Sequence, residues 1–164
     1  VYVKGIEMKQ SRLPRALKRA MSAVVEGVLR GEPQSIVTGR IEDLVKSVVG
    51  KEVAVEDLLI RSKLTKDLSE YRVLSEGRAG AAWANAHLGK GYRKDDYFWT
   101  TLNNEGQYIA FDEPSEIEGI AQIGYRAIAQ TFLVAKVRPY YEVMGWDYIP
   151  LENALRGLDK TAWI

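Results

Sequence analysis

A proline followed by an apolar stripe at helical spacing constrains this chain more than any other feature. After Pro14, apolar residues fall at Ala16, Leu17, Ala20, Met21, Val24, Val25, Val28 and Leu29, which is the recurrence of one face of a helix. Pro14 suits the first turn, where a missing N–H has no helical partner to lose. Gly31 supplies a stop signal. A stripe four turns long must bury against other elements, and 46% hydrophobic residues in a chain of 164 suffice for one or two compact units. The charged residues Arg15, Lys18, Arg19 and Arg30 lie off the stripe, near its ends.

The remaining elements follow from the same periodicities. Val1 to Met8 reads as a short strand leading into a polar turn over Lys9 to Leu13. A second amphipathic helix is expected from about Gln34 to Val49, closed by Gly50. Leu58-Leu59-Ile60 runs into Arg61-Ser62-Lys63-Leu64-Thr65-Lys66, whose alternation predicts an extended segment with Arg61, Lys63 and Thr65 on one face and Lys66 in the turn that follows. A helix is expected over Ala79 to Leu88. Tyr97 to Leu102 and Gln107 to Phe111 flank Asn103-Asn104-Glu105-Gly106, a hairpin signature. Ile123 to about Gly145 predicts helix, kinked or divided at Pro139.

Several chemistries are excluded or weakened by residue content. The chain has no cysteine and one histidine, His87, so disulfides, thiolate metal sites and an imidazole-based nucleophile system have little to draw on. Asp95-Asp96 and Asp112-Glu113 are adjacent carboxylates, but neighbours on a strand point to opposite faces, so solvated turns or helix caps are the simpler reading. Gly89-Lys90-Gly91 lacks the spacing of a phosphate loop and reads as a turn. Trp83, Trp99, Trp146 and Trp163 offer either core or stacking surface. No apolar run approaches the roughly 20 residues of a membrane span, and a cytoplasmic location with no membrane partner is expected.

Charge is distributed unevenly. The net charge is +1, yet residues 1–94 hold 18 Lys and Arg against 11 Asp and Glu, while residues 95–164 hold 5 against 11. Near the start, Lys4, Lys9, Arg12, Arg15, Lys18 and Arg19 oppose only Glu7. A polyanion is the natural partner for such a surface; the alternative is a solvated face with incidental basic excess. Lys9 to Arg19 and Arg61 to Arg78 concentrate the Lys, Arg, Ser, Thr and Tyr donors that hold phosphates and sugars.

At these segments the chain resembles the family B DNA polymerases, archaeal ones in particular, and the likeness extends across essentially its whole length. Val3-Lys4-Gly5-Ile6-Glu7 resembles the strand after the palm's lysine-rich primer-binding motif, and Ala16 to Leu29 the helix leading out of the palm. Leu59-Ile60-Arg61-Ser62-Lys63-Leu64-Thr65-Lys66, followed by Leu68 and Glu70-Tyr71, is similar to the family's thumb segment and is the most specific motif. Gly91 to Phe98, Gly124-Tyr125 to Pro139, Gly145-Trp146 and Gly157 to Ile164 resemble further thumb regions. The sequence departs from the family at Met8 to Arg12, which lacks an acidic turn residue, and at Glu76-Gly77, which stands in place of Pro-His.

The resemblance implies an α+β fold: a mainly helical thumb with a small β region over 31–164, preceded by a terminal palm strand and helix over 1–30. It implies the non-catalytic small subunit of a split polymerase, or a C-terminal fragment, gripping duplex primer-template DNA through phosphates. The implied DNA-binding residues are Lys9, Ser11, Arg12, Arg15, Arg61, Lys63, Thr65, Lys66, Tyr71 and Arg78. No catalytic or metal-binding residue is implied, since the family's palm carboxylates would precede Val1. No cofactor is expected on this chain, with Mg2+ held by a catalytic palm and exonuclease subunit as partner. The alternative is a stand-alone DNA-binding accessory protein descended from a thumb.

Overall fold

The computed structural model describes residues 13–120 and 122–161. The expected strand at Val1 to Met8 and the turn after it fall outside these residues, apart from Leu13. The apolar stripe forms α1 (Arg15–Leu29), with Pro14 at its N-cap and its carbonyl accepting from Leu17 and Lys18 N–H. Gly31 adopts a left-handed conformation (φ 73°), and the Glu32 and Gly31 N–H groups bond to the Gly27 and Val28 carbonyls, the two-bond closure that left-handed glycine permits. The next helix, α2, spans Gln34–Val49.

Three antiparallel strands follow in the order β1 (Ile60–Lys63), β2 (Tyr97–Leu102), β3 (Tyr108–Phe111), so β1 is an edge strand and β2 is central. Arg61 stands opposite Trp99 and Lys63 opposite Tyr97. Between β1 and β2 lies α3 (Gly77–Leu88), which begins two residues before the expected start. After the sheet come the short helices α4 (Ile117–Ile120) and α5 (Tyr125–Ile128). A π-helical turn over Ala129–Val134 leads into α6 (Ala135–Met144), with Pro139 inside it. A last helix, α7 (Ile149–Thr161), has no counterpart in the periodicity reading. The fold is thus α+β, mainly helical with a small sheet. No described helix is long and apolar enough to cross a membrane.

The stripe on α1 packs where its spacing requires. Leu17, Met21 and Val24 join Val37, Ile41 and Val45 of α2, Phe132 and Leu133 of the π-turn, Tyr141 of α6, and Leu151 and Leu155 of α7 in one core. Tyr141 is fully buried. Its hydroxyl bonds the Thr38 hydroxyl on α2, and Trp146 stacks edge-on at 5.3 Å. A second core lies between α3 and the sheet. There Gly80 brings the helix down to backbone contact, and a Cβ at that position would stand 2.6 Å from Thr100 Oγ1 and 2.9 Å from the Ile109 carbonyl oxygen.

The paired carboxylates are structural. Lys90 Nζ donates to Asp112 at 2.9 Å and Glu116 at 2.7 Å, and Tyr92 Oη donates to Asp112 at 2.7 Å. Glu113 caps the 3-10 turn Pro114–Glu116. Asp96 accepts from the Arg93 N–H, and Asp95 faces Lys63. His87 caps the end of α3: its ring stacks on Trp83, and Nδ1 bonds the Trp83 carbonyl.

Two outcomes follow. Gly80→Val forces α3 off the sheet and should lower stability by about 3 kcal/mol in urea unfolding. The Lys90 hydrogen bonds hold Asp112 and Glu116 below their ordinary values of 3.8 and 4.5 and raise Lys90 above 10.5. The carboxylates' contribution is present above those ordinary values and lost as pH falls through the depressed ones. The lysine's contribution is lost only as pH rises through its raised value. Lys90→Met should therefore reduce stability by about 1–2 kcal/mol near pH 7, and thermal melts should show this gap closing below about pH 4.

Candidate functional site

The edge of β1 away from β2 carries no further strand among the described residues and opens onto a groove of about 570 Å³. Side chains alternate along a strand, so Arg61 and Lys63 occupy one face with Tyr97 and Trp99, while on the other Ser62 meets the start of α3 and Ile60 joins the core around α1. The groove wraps the edge and takes lining from both faces. Its floor and near wall are β1, its upper rim is the Thr65–Tyr71 loop, and one end is the start of α3 at Glu76, Gly77 and Arg78. The far wall is the π-turn and α6, through Thr131, Phe132, Ala135, Lys136 and Pro139.

Among the described residues four cations line this space, Arg61, Lys63, Arg78 and Lys136, against one carboxylate, Glu76. Most of the cations rest on aromatic rings. The Arg61 guanidinium lies 5.0 Å from the Trp99 ring and 5.5 Å from that of Tyr97. Lys63 Nζ lies 5.2 Å from the Tyr97 ring, and the Arg78 guanidinium 4.2 Å from the Tyr71 ring. Such contacts orient a cation without neutralising it. Lys63 also meets Asp95 at 3.8 Å; both partners are exposed, so the pair is weak.

The rim is held by one phenol. Tyr71 Oη accepts from the Thr65 N–H at 2.9 Å and the Lys66 N–H at 3.0 Å, and lies 3.1 Å from Thr65 Oγ1. Asp67 and Glu70 form a capping box over the 3-10 turn Leu68–Glu70, and Asp67 also accepts the Lys94 N–H. Burial raises the Tyr71 phenol, but the hydrogen bonds from Thr65 and Lys66 and the charge of Arg78 outweigh it and hold the group below the ordinary 10.0. Tyr108 moves the other way, raised first by burial and then by the Glu76 carboxylate. Glu76 itself has φ 53° and ψ −125°, a backbone region that glycine enters most readily.

Of the ten residues chosen from the sequence, Arg61, Lys63, Thr65, Tyr71 and Arg78 line the groove together. Lys66 stands beside it, Nζ 5.8 Å from the Tyr71 ring. Arg15 is exposed on the first turn of α1 and does not line it, although Leu13 does. Lys9, Ser11 and Arg12 lie outside the described residues. One geometric expectation is corrected: Thr65 does not continue the strand face of Arg61 and Lys63. The strand ends at Lys63, where Leu64 bonds both Asp95 and Asp96 across a bulge. Tyr97, Tyr108, Thr131 and Lys136 were not identified from the sequence. Tyr97 could have been, since pairing the basic segment with the hairpin puts an aromatic opposite Lys63; Lys136 carries no local signal.

Among the described residues no three His, Asp or Glu side chains converge closely enough to hold a metal ion. The cations lining the groove give it the charge of an anion-binding surface. No family model matches the chain. A DNA polymerase from Thermococcus aggregans is 26% identical to it over 74 residues, which is 45% of this chain and 4% of that protein. The chain thus has a relationship to a DNA polymerase while spanning a small fraction of that relative's length.

The geometry around Tyr71 has a spectroscopic consequence. Ultraviolet titration should show the Tyr71 phenol ionising ahead of Tyr108, Tyr141 and Tyr148, whose values are raised chiefly by burial. Tyr71→Phe should remove that contribution from the low-pH side of the curve.

Proposed function

We propose that this chain is the non-catalytic, duplex-gripping part of a family B DNA polymerase: the thumb with the end of the palm, acting with a separate catalytic part. The observation that carries the reading is the groove itself, which unites Arg61, Lys63, Thr65, Tyr71 and Arg78 around one strand edge with a single carboxylate among its described lining. The partial similarity to a DNA polymerase supports the same reading.

A cationic groove of this kind acts on the phosphate backbone. Lysine and arginine at its wall displace condensed counterions, and hydroxyl donors between them fix the register of the strand. These contacts carry no base information, which suits an enzyme that must hold any primer-template. The edge strand adds to this. Leu64 is hydrogen-bonded across to β2's approach, so the alternation of an antiparallel pair turns the N–H groups of Arg61 and Lys63 away from β2, toward the groove. Phosphoryl transfer in such an enzyme runs on metal ions that this chain's described carboxylates do not fit. In the proposal those ions belong to the catalytic partner, and this chain's part is binding and positioning.

The test is binding of the purified chain to a primer-template duplex across a salt series. If about five phosphates are neutralised, log affinity should fall with log salt with a slope of about −4 to −5, alike for unrelated sequences. Lys63→Ala with Lys66→Ala should weaken binding and make the slope shallower by about one per lost phosphate contact. Melting should shift by no more than about 2 °C, because both side chains are exposed. A flat salt response, or a double variant indistinguishable from the parent in affinity and slope, refutes the assignment.

A further inference from the structure

Arg61 and Lys63 are set by a regular strand, but Thr65, Lys66 and Arg78 are not. They stand on a loop and at a helix start, and all three meet at Tyr71. The phenol oxygen accepts two backbone N–H groups, at 2.9 and 3.0 Å, which use both of its lone pairs. With those taken, the neutral phenol can still donate its own hydrogen to Thr65 Oγ1, 3.1 Å away. In that arrangement the threonine hydrogen is available to the groove that Thr65 lines. The Tyr71 ring meanwhile holds the Arg78 guanidinium at 4.2 Å and lies 5.8 Å from Lys66 Nζ. Neither cation is in an ion pair with a described carboxylate.

We propose that Tyr71 is the positioning residue of a one-phosphate cradle: it aims the Thr65 hydroxyl, Lys66 and Arg78 at a single phosphodiester of the bound nucleic acid while its own oxygen makes no contact with it. This rests on reading the groove as a phosphate-binding surface, and it changes the expected role of Tyr71 from contact to support. A phosphodiester fits because two full positive charges and one hydroxyl are grouped around the Tyr71 side chain, the donors that hold a phosphate oxygen. The saturated phenol oxygen has no lone pair to repel the anion.

The experiment compares Tyr71→Phe in two backgrounds of the full chain, the parent sequence and Thr65→Val/Lys66→Ala, by fluorescence anisotropy with a primer-template duplex. In the parent, Tyr71→Phe should weaken binding about 5- to 10-fold. In the second background it should change affinity less than about twofold, because the two groups that the phenol oxygen aims are gone and the phenylalanine ring still carries Arg78. Thr65→Val alone keeps both backbone bonds to Tyr71 and should weaken binding about 3-fold. Amide hydrogen exchange at Thr65 and Lys66 in the free protein should accelerate at least about 10-fold in Tyr71→Phe. Unchanged binding by Tyr71→Phe overturns the proposal, as does an equal loss in both backgrounds, which would make the phenol a direct contact or a general stabiliser. If exchange accelerates but the parent binds duplex without salt dependence, the phosphate reading of the groove fails and the cradle falls with it. If the parent binds with the expected salt slope and only the Tyr71 coupling is missing, the positioning role alone fails.

Discussion

The close seating of α3 on the sheet is the constraint from which the rest of the site follows. Gly80 meets Thr100 and Ile109 at backbone range, and a Cβ on Gly77 would stand 2.8 Å from Ser62 Oγ. With a larger residue at either position the helix would ride up, and Arg78, one residue after Gly77, would leave the ring of Tyr71. The sheet is therefore clamped on one face by a helix of small residues, Ala81 and Ala84 among them. Its opposite face carries Arg61, Lys63, Tyr97 and Trp99. Because β1 is an edge strand and no sheet neighbour covers it among the described residues, the clamp fixes an open edge rather than a closed one.

The cations of the protein divide according to what holds them. Lys90 lies between two carboxylates, Glu116 and the tyrosine-bonded Asp112, and its charge is spent on the fold. Arg61 and Arg78 rest on aromatic faces. A cation–π contact at an exposed site contributes about 0.5–1 kcal/mol, comparable with an exposed ion pair, but it leaves the positive field intact. That difference separates an anion-binding surface from a salt-bridged one, and neither burial nor net charge would reveal it.

The far wall is built differently. Thr131 and Phe132 belong to the π-turn, and Ala135, Lys136 and Pro139 to α6. Proline at 139 has no N–H for the Ala135 carbonyl one turn earlier, and it lies inside α6 where that helix lines the groove. Phe132 also packs edge-on against Tyr108 of β3 at 6.3 Å, which ties the helical body to the sheet across the groove. The groove is thus bounded by two parts of one core, and its width is set by packing rather than by loops.

The sequence by itself determined the helices α1 and α2, the hairpin of β2 and β3, and the basic segment around β1, because period and turn chemistry are local properties that adjacent residues impose on one another. It also singled out most of the donors that line the groove, since Arg61, Lys63, Thr65, Tyr71 and Arg78 fall within 18 residues. What the tertiary structure decided was which of the chosen residues share a surface. Arg15 lies apart although its charge reads the same as that of Arg61, and Lys136 joins from a helix whose pattern speaks only of burial. A period near 3.6 does not distinguish the π-turn from ordinary helix, and it missed α7, whose apolar positions count only once Leu151 and Leu155 meet α1 and α2. Thr65 left the strand face because a bulge at Leu64 and the phenol of Tyr71 outweigh the alternation of its neighbours. Contacts between residues distant along the chain are made by packing, and packing is where periodicity stops carrying information.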